Sequence, residues 1–207
     1  VLELGCGTGA ALLCLGARVA GLDLTGVELQ PGYATLAARN AETNAIPARI
    51  VTADLRALPA DLRNQSFHHV MANPPYFDRA HGTGSTAPDR DTAFGGETPL
   101  ADWVEAATRR LRPKGRLTLI QRIERLPELL AAMDDRLGGV VARPIAGRTG
   151  RAADRVILSA IKGGRAPFRL TAPLILHAGE SHERDAEDYT PAIRAVLREG
   201  AALPPID

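Results

Sequence analysis

Val1-Leu-Glu-Leu-Gly-Cys-Gly-Thr-Gly9 opens the chain, and Ala10 to Ala20 follows as a run of mostly small and apolar residues. The order reads as strand, tight turn, helix. Glycines at 5, 7 and 9 let the backbone come close to a ligand that a side chain would hold off, and the helix N-terminus can face a polar or anionic group. The pattern alone leaves the ligand open. Gly5, Gly7 and Ala10 also satisfy the G-x-G-x-x-A form of the dinucleotide fingerprint, so a nicotinamide-dependent oxidoreductase is one reading of this turn.

Working outward, Leu22 to Leu29 reads as a second strand with Glu28 near its carboxyl end, where a carboxylate can accept from both hydroxyls of a ribose. Asp23 is the competing acid, but it stands at the start of that strand, away from the crevice where open α/β sheets bind ligands. A third strand, Ala48 to Ala53, runs into Asp54, which also reads as the N-cap of a helix over Leu55 to Leu62. The apolar run Phe67 to Ala72 ends at Asn73. Carboxyl ends of parallel strands share one edge, so the glycine turn, Glu28, Asp54 and Asn73 converge on one crevice.

The fourth strand is stopped by Asn73-Pro-Pro-Tyr-Phe77. Two prolines remove two backbone donors, fix two φ angles and hold the preceding residues out of the α region. The resulting stiff turn presents an amide, a carbonyl without a sheet partner and an aromatic face. That set suits an exocyclic amino nitrogen: Asn73 Oδ1 and the Pro74 carbonyl accept its two hydrogens while Tyr76 stacks on the ring that carries it. A rigid strand-to-helix loop is the plainer reading of the same residues.

Taken in order, Glu-Leu-Gly-Cys-Gly-Thr-Gly, Gly26-Val-Glu28-Leu-Gln, Ala53-Asp54 and Asn73-Pro-Pro-Tyr-Phe resemble the motifs of class I S-adenosylmethionine (SAM) dependent methyltransferases, in the version that methylates amino or amide nitrogens on planar groups. The tail, with Lys162-Gly-Gly-Arg165, Ala172-Pro-Leu-Ile-Leu-His177 and Tyr189-Thr-Pro191, is similar to the bacterial tRNA1(Val) adenine-N6 methyltransferase group. The resemblance implies a Rossmann-like α/β fold: a mostly parallel seven-stranded sheet with an antiparallel C-terminal strand or hairpin. It implies a single domain over residues 1–207 that opens inside the first strand, without the segment that ordinarily precedes it and helps cover SAM.

Carried over by position, Gly5, Gly7 and Gly9 would wrap the methionine portion of SAM with Glu3 near its amino group. Glu28 would hold the ribose, Asp54 would accept from the cofactor's adenine amino group, and Asn73 would border both cofactor and acceptor. Asn73 and Pro74 would hold the target nitrogen, Tyr76 would stack on the target base, and Pro75 and Phe77 would lie on the substrate side. The implied reaction is methyl transfer to an exocyclic amino nitrogen, adenine N6 in tRNA first, with a protein glutamine amide, a guanine or a DNA adenine as alternatives. Accepting the amino hydrogens bends the nitrogen toward tetrahedral geometry and offsets the positive charge that grows on it during in-line attack, so no general base is needed.

At 207 residues and 45% hydrophobic, the chain can bury a core of its own. Leu100, Trp103, Val104, Ala107 and Leu111 predict a helix started by Thr98-Pro99, and Leu126, Leu129, Leu130, Met133 and Leu137 predict another. Further strands are expected at 116–120, 140–144, 156–161 and 170–177. The Lys162-Gly-Gly-Arg165 turn should join the last two as a hairpin, and a closing helix should run from Pro191 to Glu199 between Thr190 and Gly200.

Two cysteines, Cys6 and Cys14, are too few for a disulfide framework, and no run of 18 apolar residues or export signal is present, which points to a reduced, cytoplasmic protein without a membrane partner. No metal is expected: His68 and His69 alternate across a strand, and His177, Glu180, His182 and Glu183 fall in a polar stretch. The net charge is only +1, yet Arg143, Arg148, Arg151, Arg155, Lys162, Arg165 and Arg169 face a single acid, Asp154, within one stretch. That stretch is a candidate phosphate-binding surface, with Arg148 and Arg165 as its leading substrate contacts. The long loop 78–97 is expected to be mobile until RNA binds, offering Arg79, His81 and Arg90 to phosphates.

Overall fold

β1 (Leu2–Leu4) is three residues long and buried throughout, because it has a strand on either side: β2 (Leu24–Glu28) and β4 (Phe67–Ala72), both parallel to it. β2 pairs in parallel with β3 (Ala48–Thr52), and β4 with β5 (Leu111–Arg122). Strands covered on both faces lose the alternation of a half-exposed sheet, and every residue of β2 is accordingly buried. These contacts come from a computed structural model that describes residues 1–76, 98–179, 181 and 187–203.

Beyond β5 the direction reverses. β7 (Ala153–Lys162) lies antiparallel between β5 and β6 (Leu137–Ala146), giving the order β3-β2-β1-β4-β5-β7-β6. This is the mostly parallel sheet with an antiparallel C-terminal strand that the sequence implies, widened from seven strands to nine by β8 (Arg169–Leu170) and β9 (Leu174–Ile175), both parallel to β6. The reversal distinguishes it from the all-parallel order of dinucleotide-binding enzymes.

Six α-helices appear among the described residues: α1 (Ala10–Arg18), α2 (Pro31–Thr43), α3 (Ala60–Arg63), α4 (Leu100–Arg110), α5 (Leu126–Ala132) and α6 (Pro191–Glu199). α4 buries Leu100, Trp103, Val104 and Ala107 in the main core with Leu2, Leu4, Val70, Leu117 and Leu119. α6 closes a smaller cluster through Ile193, with Ile145 and Leu174. No helix among the described residues is long and apolar enough to cross a membrane.

Three helix boundaries depart from the sequence reading, each for a local reason. The helix expected over 55–62 is a 3-10 turn, Leu55–Ala57, followed by the four-residue α3. Pro59 forces the break, since the residue before it, Leu58, is extended (ψ 144°). The helix expected to reach Leu137 ends at Ala132, because the Asp134 side chain accepts from the Arg136 N–H (2.9 Å) and turns the chain. Leu111, which carries the helical spacing of α4 one step further, is instead the first residue of β5.

The fourth departure is topological. Lys162-Gly-Gly-Arg165 does not close a hairpin between the last two strands, because the segment after it pairs with β6 and not with β7. Gly138 and Gly164 cross at backbone contact: a Cβ on Gly138 would lie 2.2 Å from the Gly164 carbonyl oxygen. The chain thus slips past the start of β6 to its outer edge, held there by Gly139 N–H donating to the Ala166 carbonyl (3.1 Å). Pro173 then divides the single strand expected at 170–177 into β8 and β9.

Lys162, in the last residue of β7, donates to the carbonyls of Thr108 (2.7 Å) and Leu111 (2.8 Å) and so closes the C-terminal end of α4, where unpaired carbonyls and the helix dipole favour a cation. Lys162→Met is expected to lower unfolding stability by about 1–2 kcal/mol, as loss of a charged hydrogen-bond donor does. A urea titration checks this: the midpoint should fall at constant slope, and an unchanged midpoint would contradict the role.

Candidate active site at the carboxyl edge of the sheet

The register places Leu4 opposite both Val27 and Ala72, so the turn after β1 stands between the ends of β2 and β4. Cys6 N–H still donates to the Val27 carbonyl (3.0 Å), and Gly9 N–H closes the turn on the Cys6 carbonyl (2.8 Å). The three glycines have positive φ (66°, 54° and 84°) but different neighbours. A Cβ on Gly5 would strike the Trp103 ring at 2.5 Å, and one on Gly9 would press on Ala37 and Leu13 at 3.3 Å; one on Gly7 would meet nothing within 4 Å among the described residues. Gly5 and Gly9 are therefore packing requirements, while Gly7 is the glycine that opens onto free space. Asn40 of α2 donates to the Thr8 carbonyl (3.0 Å) and fixes the loop from its far side.

Two buried acids lie under this loop. Glu28, 7% exposed, accepts from Gly7 N–H through Oε2 (2.8 Å) and from Gln30 N–H through Oε1 (2.9 Å). Each oxygen has further lone-pair capacity, which two hydroxyl donors can use. Glu3, 3% exposed, accepts from Leu12 N–H through Oε2 (3.0 Å), one of the first-turn donors of α1 that the Gly9 cap leaves without a side-chain partner. Burial pushes the Glu3 carboxyl up to about 8, against the Leu12 hydrogen bond and with help from nearby Glu28. Burial also pushes the Cys6 thiol up to about 12, reinforced by both acids, so it stays protonated and is no nucleophile.

Asp54 lies just beyond β3, and Ala53 N–H donates to the Glu28 carbonyl (2.9 Å). Its side chain caps the 3-10 turn through Arg56 N–H (2.8 Å) and accepts the Arg56 guanidinium (2.7 Å), which holds its carboxyl below the usual range. The capping reading of the sequence is thus present in the structure, in a partly exposed carboxylate at the same edge.

Asn73 is exposed at the end of β4, next to the glycine turn, whereas Pro74 is buried. Among the described residues the Pro74 carbonyl has no strand partner, and Gln121 Nε2 donates to it (3.2 Å) and to the Pro75 carbonyl (3.3 Å). Arg155 of β7 stands over the Tyr76 ring, 5.8 Å from its centroid. Arg122 and Arg155 are Cα partners across β5 and β7 at this same edge. Phe77, the loop 78–97 with Arg79, His81 and Arg90, and the His182, Glu180 and Glu183 group lie outside the described residues.

The basic stretch does not form one surface. Because β7 runs antiparallel, it carries Arg155 to the Asn73 edge and Lys162 to the opposite one, where Ile161 pairs with the start of β5 at Arg116. Arg165 follows Lys162 and is exposed at that far edge. Arg148 is committed within the chain: its guanidinium pairs with Asp188 and donates to the Ala178 carbonyl. The same Asp188 meets His177 Nδ1 (2.6 Å), whose ring stacks on Tyr189. Arg165 thus lies at the edge opposite Asn73, whereas Arg148 follows the end of β6 at the same edge as Arg155. Among the described residues, no group of three or more His, Cys, Asp or Glu is placed to hold a metal ion.

Folded Glu3 keeps its proton up to about pH 8, whereas an unfolded glutamate releases it near 4.5. Across that window the native state binds more protons than the unfolded one, so this residue makes stability fall as pH rises. The melting temperature of Glu3→Gln should therefore gain on that of the unmutated protein steadily between pH 5 and about pH 8. A difference in melting temperature that stays constant over this range would contradict the assignment.

A family model described as a methyltransferase domain matches residues 1–83. The chain is 35% identical over 135 residues to a tRNA1(Val) (adenine(37)-N6)-methyltransferase of Porphyromonas gingivalis, covering 62% of this chain and 51% of the relative. It is 31% identical over 140 residues to a release factor glutamine methyltransferase of Deinococcus radiodurans, covering 64% of this chain and 49% of the relative. The chain thus spans about half the length of these relatives. Among solved structures it superposes on a predicted O-methyltransferase from Agrobacterium tumefaciens with a TM-score of 0.76 and 29% identity, covering 97% of this chain and 89% of that one. Strand order and the superposition agree on the class I methyltransferase fold, and the glycine turn lies within the residues that match the methyltransferase domain model.

Proposed function

We propose that the chain is a SAM-dependent N-methyltransferase whose acceptor is an exocyclic amino nitrogen, adenine N6 in tRNA. The observation that carries this reading is exposed Asn73 at the end of β4, one strand from Gly7 and two from Glu28, on a stiff double-proline corner. The residues fit the cofactor: Gly7 faces open space that a Cβ would narrow, and Glu28 retains acceptor capacity for ribose hydroxyls. Bound there, SAM supplies a methyl group made electrophilic by its sulfonium.

The protein's own part is positioning and charge. Asn73 Oδ1 and the second lone pair of the Pro74 carbonyl accept the amino hydrogens, drawing the nitrogen's lone pair out of conjugation and balancing the positive charge that develops on it. Tyr76 stacks on the acceptor ring, with Arg155 close to the same side chain. The Glu3 carboxyl, protonated while alone, gives up its proton when an ammonium is brought near. The proton released from the acceptor leaves to water. A glutamine amide presents the same planar NH2, which is how the similarity to release factor methyltransferases is accommodated.

Labelled SAM offered with bulk tRNA, rRNA, DNA and protein tests the acceptor. Label in tRNA as N6-methyladenosine is expected, and label confined to protein would replace adenine by glutamine. Asn73→Ala should lower kcat at least about tenfold with SAM affinity nearly intact, because the lost contact belongs to the transition state. Equal loss of SAM binding would contradict that role. Arg155→Ala should raise the RNA KM and reduce the salt slope by about one, while Arg165→Ala at the opposite edge should leave both unchanged; the reverse pattern would move the RNA to the other edge.

A further inference from the structure

Gln121 is a fully buried polar side chain (0% exposed) on β5, a position where an apolar residue is the rule for this sheet. Its amide hydrogens match its surroundings one for one. Nε2 carries two hydrogens and faces two carbonyls, Pro74 (3.2 Å) and Pro75 (3.3 Å), while Oε1 accepts from Arg122 N–H (2.8 Å). The opposite orientation of the amide would set an oxygen against two carbonyls and an NH2 against an N–H, so the assignment is fixed by its partners.

The two prolines create the need. A corner that stops a strand leaves its carbonyls outside the ladder, and Pro74 is buried, so water cannot serve it freely. An unsatisfied buried carbonyl is costly, so without a partner the corner would rotate or shift outward to reach one. Gln121 ties both carbonyls to the centre of the sheet, one residue from Arg122, whose strand partner Arg155 stands over Tyr76. The corner is therefore held at its carbonyls by an amide, and a guanidinium stands over its Tyr76 ring.

We propose that Gln121 is a positioning residue for methyl transfer: its NH2 group fixes the depth and direction of the Pro74–Pro75 corner, and through it the placement of Asn73 Oδ1 and the free lone pair of Pro74 against the acceptor nitrogen. It touches neither cofactor nor acceptor. The proposal deepens the N-methyltransferase reading and rests on it. Gln121→Met keeps the volume and removes both donors. Gln121→Glu places a carboxyl against the two carbonyls, which disfavour its charged form; once protonated, it restores one donor.

The experiment measures methyl transfer to tRNA under SAM saturation, SAM affinity by calorimetry, and the pH profile of each variant. Gln121→Met is expected to lose about 10–100-fold in kcat, the scale of an ångström-sized misplacement, with SAM affinity within about twofold of the unmutated protein. Gln121→Glu should be weak at high pH and recover as pH falls, a trend absent from the unmutated protein, and this arm decides the matter should Gln121→Met fail to fold. A folded Gln121→Met with full kcat, a parallel loss of SAM affinity, or a Gln121→Glu profile that follows the unmutated one would each overturn the proposal. An unmutated protein that methylates none of the acceptors would overturn the underlying reading and the proposal together, a result distinct from these three.

Discussion

Three residues hold this site together. β1, Leu2–Leu4, is hydrogen-bonded in parallel on both sides, and that double pairing is what brings the glycine turn, Glu28 and Asn73 to one line. Had β1 paired with one neighbour only, the loop would have had a free side to swing toward. Instead its exit is fixed by Cys6 N–H on the Val27 carbonyl, and its middle by Gly7 N–H on the Glu28 carboxylate. The Glu28 side chain thus completes the turn, so the geometry of the loop and the placement of its acid are one arrangement.

The opposite wall is made by a different principle. Where the glycine loop depends on backbone freedom, Asn73-Pro-Pro-Tyr76 depends on its loss, and the stiffness creates carbonyls that no strand can satisfy. Gln121 supplies the missing donors from the middle of the sheet. A polar residue in a core gains little net stability even when fully bonded, so its presence in β5 is best understood as specifying where the corner sits. Trp103 does similar work for the loop: its ring lies where a Gly5 side chain would be and leaves that backbone one position.

Much of this was legible in the residues. The strands at 22–29, with Glu28 near its end, 48–53, just before Asp54, and 67–72, just before Asn73, are legible as apolar runs, and the helical faces of α4 and α5 from their spacing, because burial of one stripe dictates periodicity. What failed had local causes that periodicity overlooks: Pro59 cutting a helix, Asp134 turning one, and Leu111 repeating a helical spacing as the first residue of a strand. The hairpin at Lys162–Arg165 failed because a Gly-Gly turn says that backbones approach, and here the approach is a crossing of Gly138 by Gly164.

Side-chain partners across strands were the least legible. Arg148 and Arg165 looked alike in sequence, yet one is paired with Asp188 and the other is carried to the far edge by an antiparallel strand whose position no single residue announces. Gln121 and Arg155 acquire their importance only once β7 lies against β5 and β5 against β4. The most direct test of the central claim is a crystal structure with S-adenosylhomocysteine bound. The account predicts the ligand at the carboxyl edge, ribose hydroxyls on Glu28, its chain along Gly7 and its sulfur facing Asn73; a ligand seated elsewhere, or an Asn73 amide turned away from it, would contradict the account.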